Sequence, residues 1–295
     1  RTDSEPLQVT PYTYRHSVAE IEDEAIPADI NESETGRAHG RLSGAAFTTG
    51  IQVSSSNNRI VNNTIIGQNY GIKLCNANNN VISNNKICNC YYDGIYMDFS
   101  SNNTIQNNRI SSNGDDGIHI FYSSNNIIFE NDILNNSDDG IYIYCSTDNN
   151  ISANKVSNNC YGIYSPYSSN NSIVGNIVSE NRYDGIHLST SSNNTLRYNE
   201  ISNNSDDGIQ LCGSSHNIIT SNTVNFNCDD GVSLYPEWVI YPPITYYCMY
   251  NILTNNTISG NKGNGIQLQI SSNNSIINNN ISNNDKDGIH LYCSD

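Results

Sequence analysis

The sequence predicts an all-β solenoid: short strands coiled about 11 times, about 23 residues per turn, behind a non-repeating N-terminal arm. Three observations predict it. Gly followed by Ile, once by Val, recurs at Gly50, Gly71, Gly94, Gly117, Gly140, Gly162, Gly185, Gly208, Gly231, Gly265 and Gly288. The intervals are 21, 23, 23, 23, 22, 23, 23, 23, 34 and 23 residues. Within each interval the apolar residues fall in three short runs, and none recurs at helical spacing. The runs are separated by Asn, of which the chain has 53.

Residues 115–137, DDGIHIFYSSNNIIFENDILNNS, make one unit. Gly117-Ile118-His119-Ile120 alternates with period two, so Ile118 and Ile120 share a face. Asn126-Ile127-Ile128 and Asn131-Asp132-Ile133 are two further extended pieces. Three strands per turn give a triangular coil whose copies stack in parallel, about 4.8 Å apart. Asn suits the corners because it tolerates the left-handed backbone of a sharp turn, and its amide can bond the same Asn one coil away. A single coil buries a handful of aliphatic side chains at roughly 1.5–3 kcal/mol each. Ordering 23 backbones costs roughly 1–2 kcal/mol each, so a coil is stable only between neighbours.

Residues 1–45 do not repeat and are acidic, with Glu20, Glu22, Asp23, Glu24, Asp29, Glu32 and Glu34. They read as an arm, with Leu7–Thr10 or Tyr12–Tyr14 able to add a strand to another subunit. The repeats occupy 46–295, with an aromatic insertion at 235–250 that carries Trp238, Tyr241 and three prolines. The prolines forbid a regular strand there. No capping sequence follows the last repeat, and a bare coil end exposes unpaired backbone groups. The expectation is therefore a partner that is another copy of the chain, added end to end.

Composition bounds the function. With 13 Lys and Arg against 29 Asp and Glu, the net charge of −16 excludes a nucleic-acid partner. No apolar run is long enough to span a membrane. The chain begins at Arg1, which suggests a secreted form whose signal peptide has been removed. Eleven Asn-X-Ser/Thr triplets occur, about as many as this composition produces by chance. In the Asn-Asn-Ser/Thr form the first Asn should face out, which marks Asn62, Asn102, Asn135, Asn170, Asn193, Asn203, Asn255 and Asn273 as glycan acceptors. Of nine cysteines, Cys75, Cys145, Cys212 and Cys293 recur every third coil, and so do Cys90, Cys160 and Cys228, which suggests the pairs Cys75–Cys90, Cys145–Cys160 and Cys212–Cys228 in an oxidising compartment.

Stacking turns each repeat position into a column. The residue before Gly gives Asp93, Asp116 and Asp139, then Asp184, Asp207 and Asp230, two runs of hard oxygen ligands that would suit calcium. Outward positions after Gly give an aromatic strip that includes Tyr96, Phe121 and Tyr144. With Trp238 and Tyr241 these are the candidate ligand-binding residues.

The pattern GIxLxxSSNNxIxxNxIxxNxxDGI resembles the right-handed parallel β-helix repeat of the NosD-like and other carbohydrate-associated families, over about 45–295. The resemblance implies that fold, and a function among polysaccharide lyases, C5-epimerases, periplasmic and surface proteins. The C5-epimerases use Tyr and His as acid and base beside an Asp, in a motif resembling Tyr-Gly-Phe-Asp-Pro-His. Here Asp116-Gly-Ile-His119, Tyr183-Asp184-Gly-Ile-His187 and Asp287-Gly-Ile-His290 keep Asp and His but lack the Pro and the leading Tyr-Gly. The residues implied for an enzyme are His119, Tyr142, Asp116 and Asp98. The uniform coils favour a secreted or cell-surface structural glycoprotein that forms filaments. The alternative is a carbohydrate-binding or polysaccharide-modifying β-helix of the epimerase or lyase type.

Overall fold

The computed structural model describes residues 37–38, 41–43, 48–239 and 244–294. Most of the N-terminal arm and Tyr241 lie outside the described residues. Three 11-stranded parallel sheets run the length of the rod, and each strand pairs with its equivalents one coil before and after. The fold is the predicted right-handed parallel β-helix, with no helix among the described residues. No helix there is long and apolar enough to cross a membrane. Sheet 1 holds the strands that follow each Gly, such as Ile118–Phe121; sheet 2 those such as Ile127–Phe129; sheet 3 those such as Asp132–Leu134. Coiling begins before Gly50, because Arg37–Ala38 pairs with Arg59 and Ile60, and Arg41–Ser43 with Thr64–Ile66.

Each complete coil sends four side chains inward, apolar at all positions except Ser165. In the reference coil these are Ile118, Ile120, Ile128 and Ile133, all fully buried. Register is in phase, Ile118 against Ile95 and Ile141, so inward columns stay inward and outward columns stay outward. The Gly column is required by close approach. A Cβ on Gly117 would lie 2.6 Å from the Gly140 carbonyl oxygen, and the same holds along the column.

The second Asn of each corner pair is buried and forms a ladder. The backbone N–H and the Nδ2 of Asn108 both donate to Asn131 Oδ1 at 3.0 Å, and Asn131 does the same to Asn154. The spare Nδ2 hydrogen reaches back to a strand carbonyl, Asn131 to Ile105 at 2.9 Å. Each amide thus satisfies backbone groups that the corner leaves unpaired. The first Asn of each pair takes the left-handed conformation, and all eight marked acceptors are exposed. A fourth ladder of Ser hydroxyls, including Ser100, Ser123, Ser146 and Ser168, lines the exit from sheet 1.

The proposed disulfides do not form, and all nine thiols are free. In each pair the first Cys lies at the exit of a sheet 1 strand and the second in the corner that enters the next. The strand between them separates the two by about 13 Å, at about 3.3 Å per residue. A disulfide tolerates no more than about 7 Å between Cα atoms.

Contrary to the expectation that its prolines forbid a strand, the insertion folds as an antiparallel hairpin, Glu237–Val239 against Ile244–Tyr246, because Pro236, Pro242 and Pro243 fall outside the paired segments in sequence. It rests on the corner at Gly213, where a Cβ would meet Glu237 Cβ at 2.6 Å and Tyr246 Cβ at 2.8 Å.

Candidate functional site

The outer face of sheet 1 carries the chemistry. Register places His119 between Tyr96 and Tyr142, and Phe121 between Asp98 and Tyr144. His119 meets both tyrosines, at ring-centroid distances of 5.0 Å and 4.7 Å. Its Nδ1 lies 2.9 Å from Asp116 Oδ2 and 3.8 Å from Asp93 Oδ2. Lys73, one coil before Tyr96, holds its Nζ 4.6 Å from the Tyr70 ring centre and 5.3 Å from that of Tyr96.

All four residues implied for an enzyme, His119, Tyr142, Asp116 and Asp98, therefore meet in one patch. Three-residue spacing across an inward Ile puts the corner carboxylate beside the first outward side chain of the strand. Lys73 was missed as a site residue. Its signal is its column: it stands two residues after Gly71, as His119 does after Gly117.

Two buried polar atoms in this patch have no hydrogen-bond partner, His119 Nε2 and Asp98 Oδ1. Buried polar atoms are normally paired, so an unpaired set on an outer face fits one that hydrogen-bonds a ligand. Burial lowers the pKa of His119, against the pull of Asp93 and Asp115. The imidazole is thus neutral at neutral pH, and in the tautomer that gives Nδ1–H to Asp116, Nε2 carries a lone pair. Burial raises Tyr142 and Tyr96 well above the ordinary phenol range, so both keep their protons. Burial raises Asp98, while Lys73 and His119 pull it back.

Part of the aromatic strip is stacked face to face, while pairs such as His119–Tyr142 and Tyr164–His187 meet edge to face. Phe99 stacks on Tyr122 at 5.3 Å with 5° between planes, and Phe121 on Tyr144 at 5.4 Å with 15°. In these two pairs each ring covers a face of the ring on the adjacent coil. Tyr96, Phe121 and Tyr144 lie on this strip. Trp238 is 62% exposed on the hairpin. It alternates with Glu237, the residue that acts on Tyr164 and Tyr167 of the strip, and so faces away from it.

The Asp column forms its own ladder. Asp93 Oδ1 accepts the Asp116 N–H at 3.0 Å, and Asp116 Oδ1 that of Asp139 at 2.8 Å; Asp184, Asp207 and Asp230 repeat the arrangement. These six are almost fully buried, while Asp115, Asp138, Asp206 and Asp229 beside them are half-buried. Burial holds Asp93, Asp116, Asp139 and Asp207 well above the carboxylate range. Groups such as Asp115, Asp116 and Asp138 bring three ligand atoms within 4.8 Å of one another. Calcium takes six to eight oxygens. Here one oxygen of each buried Asp is already committed to a backbone N–H, and Asp207 Oδ2 also takes Gln210 and Ser233. The residues present do not make a calcium cage.

A second patch repeats the first three coils on. His187 Nδ1 lies 2.8 Å from Asp184 Oδ2, between the rings of Tyr161 and Tyr164 at 5.3 Å and 5.0 Å. It lacks counterparts of Lys73 and Asp98, because Pro166 holds the position equivalent to Asp98.

The family model described as "Right handed beta helix region" matches residues 49–190 and 156–240. The chain belongs to this right-handed β-helix family. Residues 244–295 match the model of the periplasmic copper-binding protein NosD. No curated protein matches the chain. Among solved structures, it is similar to the A-module of the Azotobacter vinelandii mannuronan C-5 epimerase AlgE4. The TM-score is 0.78 at 20% identity, over 87% of this chain and 79% of that one. It is similar also to the periplasmic alginate epimerase AlgG, with a TM-score of 0.67 at 19% identity, over 79% of this chain and 60% of that one. The bacteriophage CBA120 tailspike protein 2 matches with a TM-score of 0.54 at 13% identity, over 76% of this chain and 38% of that one. At these identities the likeness is one of fold.

Proposed function

We propose that this β-helix acts outside the cytoplasm on a uronate-bearing polysaccharide, taking a proton from the sugar carbon next to the carboxylate. The observation that carries the reading is the Lys73, Asp98, His119 and Tyr142 patch, with two unpartnered acceptor atoms on an outer sheet face. Such a carbon acid needs three groups. A cation must offset the charge that builds on the carboxylate, and Lys73 is placed for this. A base must accept the proton, and neutral His119 Nε2 is that base, oriented by Asp116. An acid must supply a proton, and Tyr142 keeps its own. Return of a proton to the same carbon from the opposite face inverts it; expulsion of the neighbouring glycosidic oxygen, protonated as it leaves, cleaves the chain.

The folds of AlgE4 and AlgG, which are epimerases, support the reading, and the periplasmic descriptions of NosD and AlgG support the location. Filament formation drew on the arm, mostly outside the described residues, and on a last coil that is bare wherever a chain stops, so it gains no support. The test is incubation of the protein with uronate-bearing glycans in D2O. Deuterium at C5, or an unsaturated uronate end, lost in His119→Ala, is expected. Equal exchange by His119→Ala and wild type would overturn the assignment.

A further inference from the structure

We infer that the strip takes a largely neutral glycan in which acidic sugars are isolated, and that it rejects a polyuronate; this rests on the reading of the strip as a polysaccharide site. The argument is the placement of charge. Among the described residues, Lys73 is the one Lys or Arg on the outer face of sheet 1. From His119 to the hairpin the strip is bordered by carboxylates instead. Asp115 and Asp138 act on His119, and Glu237 of the hairpin acts on Tyr164 and Tyr167. These three are half-buried, so part of each faces water and any ligand above.

One coil advances about 4.8 Å, close to the advance per sugar of an extended 1,4-linked pyranose chain. A glycan laid along the rod therefore sets about one sugar over each coil. A carboxylate on a sugar over the Lys73 and Tyr96 coils is compensated by Lys73. Carboxylates on the following sugars would face Asp138, Asp206 and Glu237, offset in part by Arg182 in the corner between the two Asp. Neutral sugars suit this surface, because their hydroxyls donate and the strip accepts. His119 Nε2 and Asp98 Oδ1 lack donors. The His187 patch, with its Asp184 but without a Lys73 counterpart, reads as a neutral-sugar subsite on the same track. The net charge of −16 adds a long-range term of the same sign.

The experiment is titration calorimetry of the wild-type protein with three oligosaccharides of equal length: a polyuronate, a neutral chain, and that neutral chain carrying one uronate. Each is run in EDTA and with calcium. The single-uronate chain should bind at least tenfold tighter than the polyuronate in both. Lys73→Gln should remove its advantage over the neutral chain. The triple variant Asp115→Asn, Asp138→Asn, Glu237→Gln should narrow the gap to the polyuronate at least threefold. Polyuronate binding as tight as the single-uronate chain, with or without calcium, would overturn the inference and leave the polysaccharide reading standing. Failure of all three glycans to bind would sink the polysaccharide reading and the inference with it.

Discussion

Ser165 stands in an inward column whose neighbours along sheet 1 are Leu74, Met97, Ile120, Ile143, Leu188 and Leu211. It is fully buried and its hydroxyl has no partner. A small polar residue there forfeits aliphatic burial and strands a hydroxyl, two separate costs. Ser165→Val should raise stability by about 1–2 kcal/mol, read as a higher Tm; a lower Tm would show the column already filled. Thr190 carries a different strain. It is β-branched yet left-handed at φ 49°, with Oγ1 buried and unpaired, where the next coil has Gly213. Thr190→Gly should stabilise by about 1 kcal/mol. At His119 the active form is the neutral one, and burial lowers the pKa below the ordinary 6.5. The acid limb of the rate profile should therefore fall below pH 6.5. A limb at or above that value would remove His119 as the base.

At the scale of the element, the Asp ladder is the unusual column. Its carboxylates accept backbone N–H groups as the Asn ladders do, but they carry charge into a buried stack. Asn264 occupies the same column and keeps both ladder bonds: its backbone N–H donates to Asp230 Oδ1 and its Oδ1 accepts the Asp287 N–H at 3.1 Å, while its Nδ2 adds a third to Asp230 at 3.0 Å. Charge is thus not needed for the ladder. Burial, then Asp116 and Asp138, hold Asp139 well above its ordinary value. An acid raised in the folded state favours folding most below its unfolded pKa, and that contribution is lost as pH rises through the folded pKa. The rod should be more stable at pH 5 than at pH 8. Asp139→Asn should raise Tm more at pH 8 than at pH 5 and flatten the profile. An equal shift at both would place the charge elsewhere.

At the scale of the molecule, nearly every strand touches its equivalents one coil away and little else. Stability is then close to a sum over coils and their interfaces. Removing residues 163–185 joins Gly162 to Ile186 and keeps every column in phase. That variant should fold into a rod one coil shorter, with the β-sheet circular dichroism of the parent and the Lys73–Tyr142 patch intact. Removing 12 residues from the same place shifts inward positions off their columns and should abolish folding. Loss of the fold in both would mean that stability is not distributed by coil. The hairpin follows the same logic. It is an excursion between sheets 1 and 2 of one coil, and its neighbours on either side, Val232–Tyr235 and Ile252–Thr254, stay in register.

By itself the sequence determined the coil, its period, its inward residues and its columns. Each is set by spacing: alternation fixes which Ile points in, and a constant interval stacks like on like. Columns also brought His119, Tyr96, Asp98 and Tyr142 together on paper, because in a solenoid a neighbour in space is one repeat away in sequence. What the sequence left open depends on distances across a coil and on burial. The cysteine pairs looked plausible at 15 or 16 residues apart, yet a whole strand separates them. The corner carboxylates read as metal ligands, and the aromatic strip as ligand-binding residues, with nothing in the pattern to give their burial. Only the tertiary structure shows one row of Asp drawn into a buried ladder and some ring faces used against each other. It alone shows His119 Nε2 and Asp98 Oδ1 left without donors beside Lys73. Hydrogen-bond satisfaction is a property of packed atoms in three dimensions, and a repeat pattern does not encode which atom of a column will be left over.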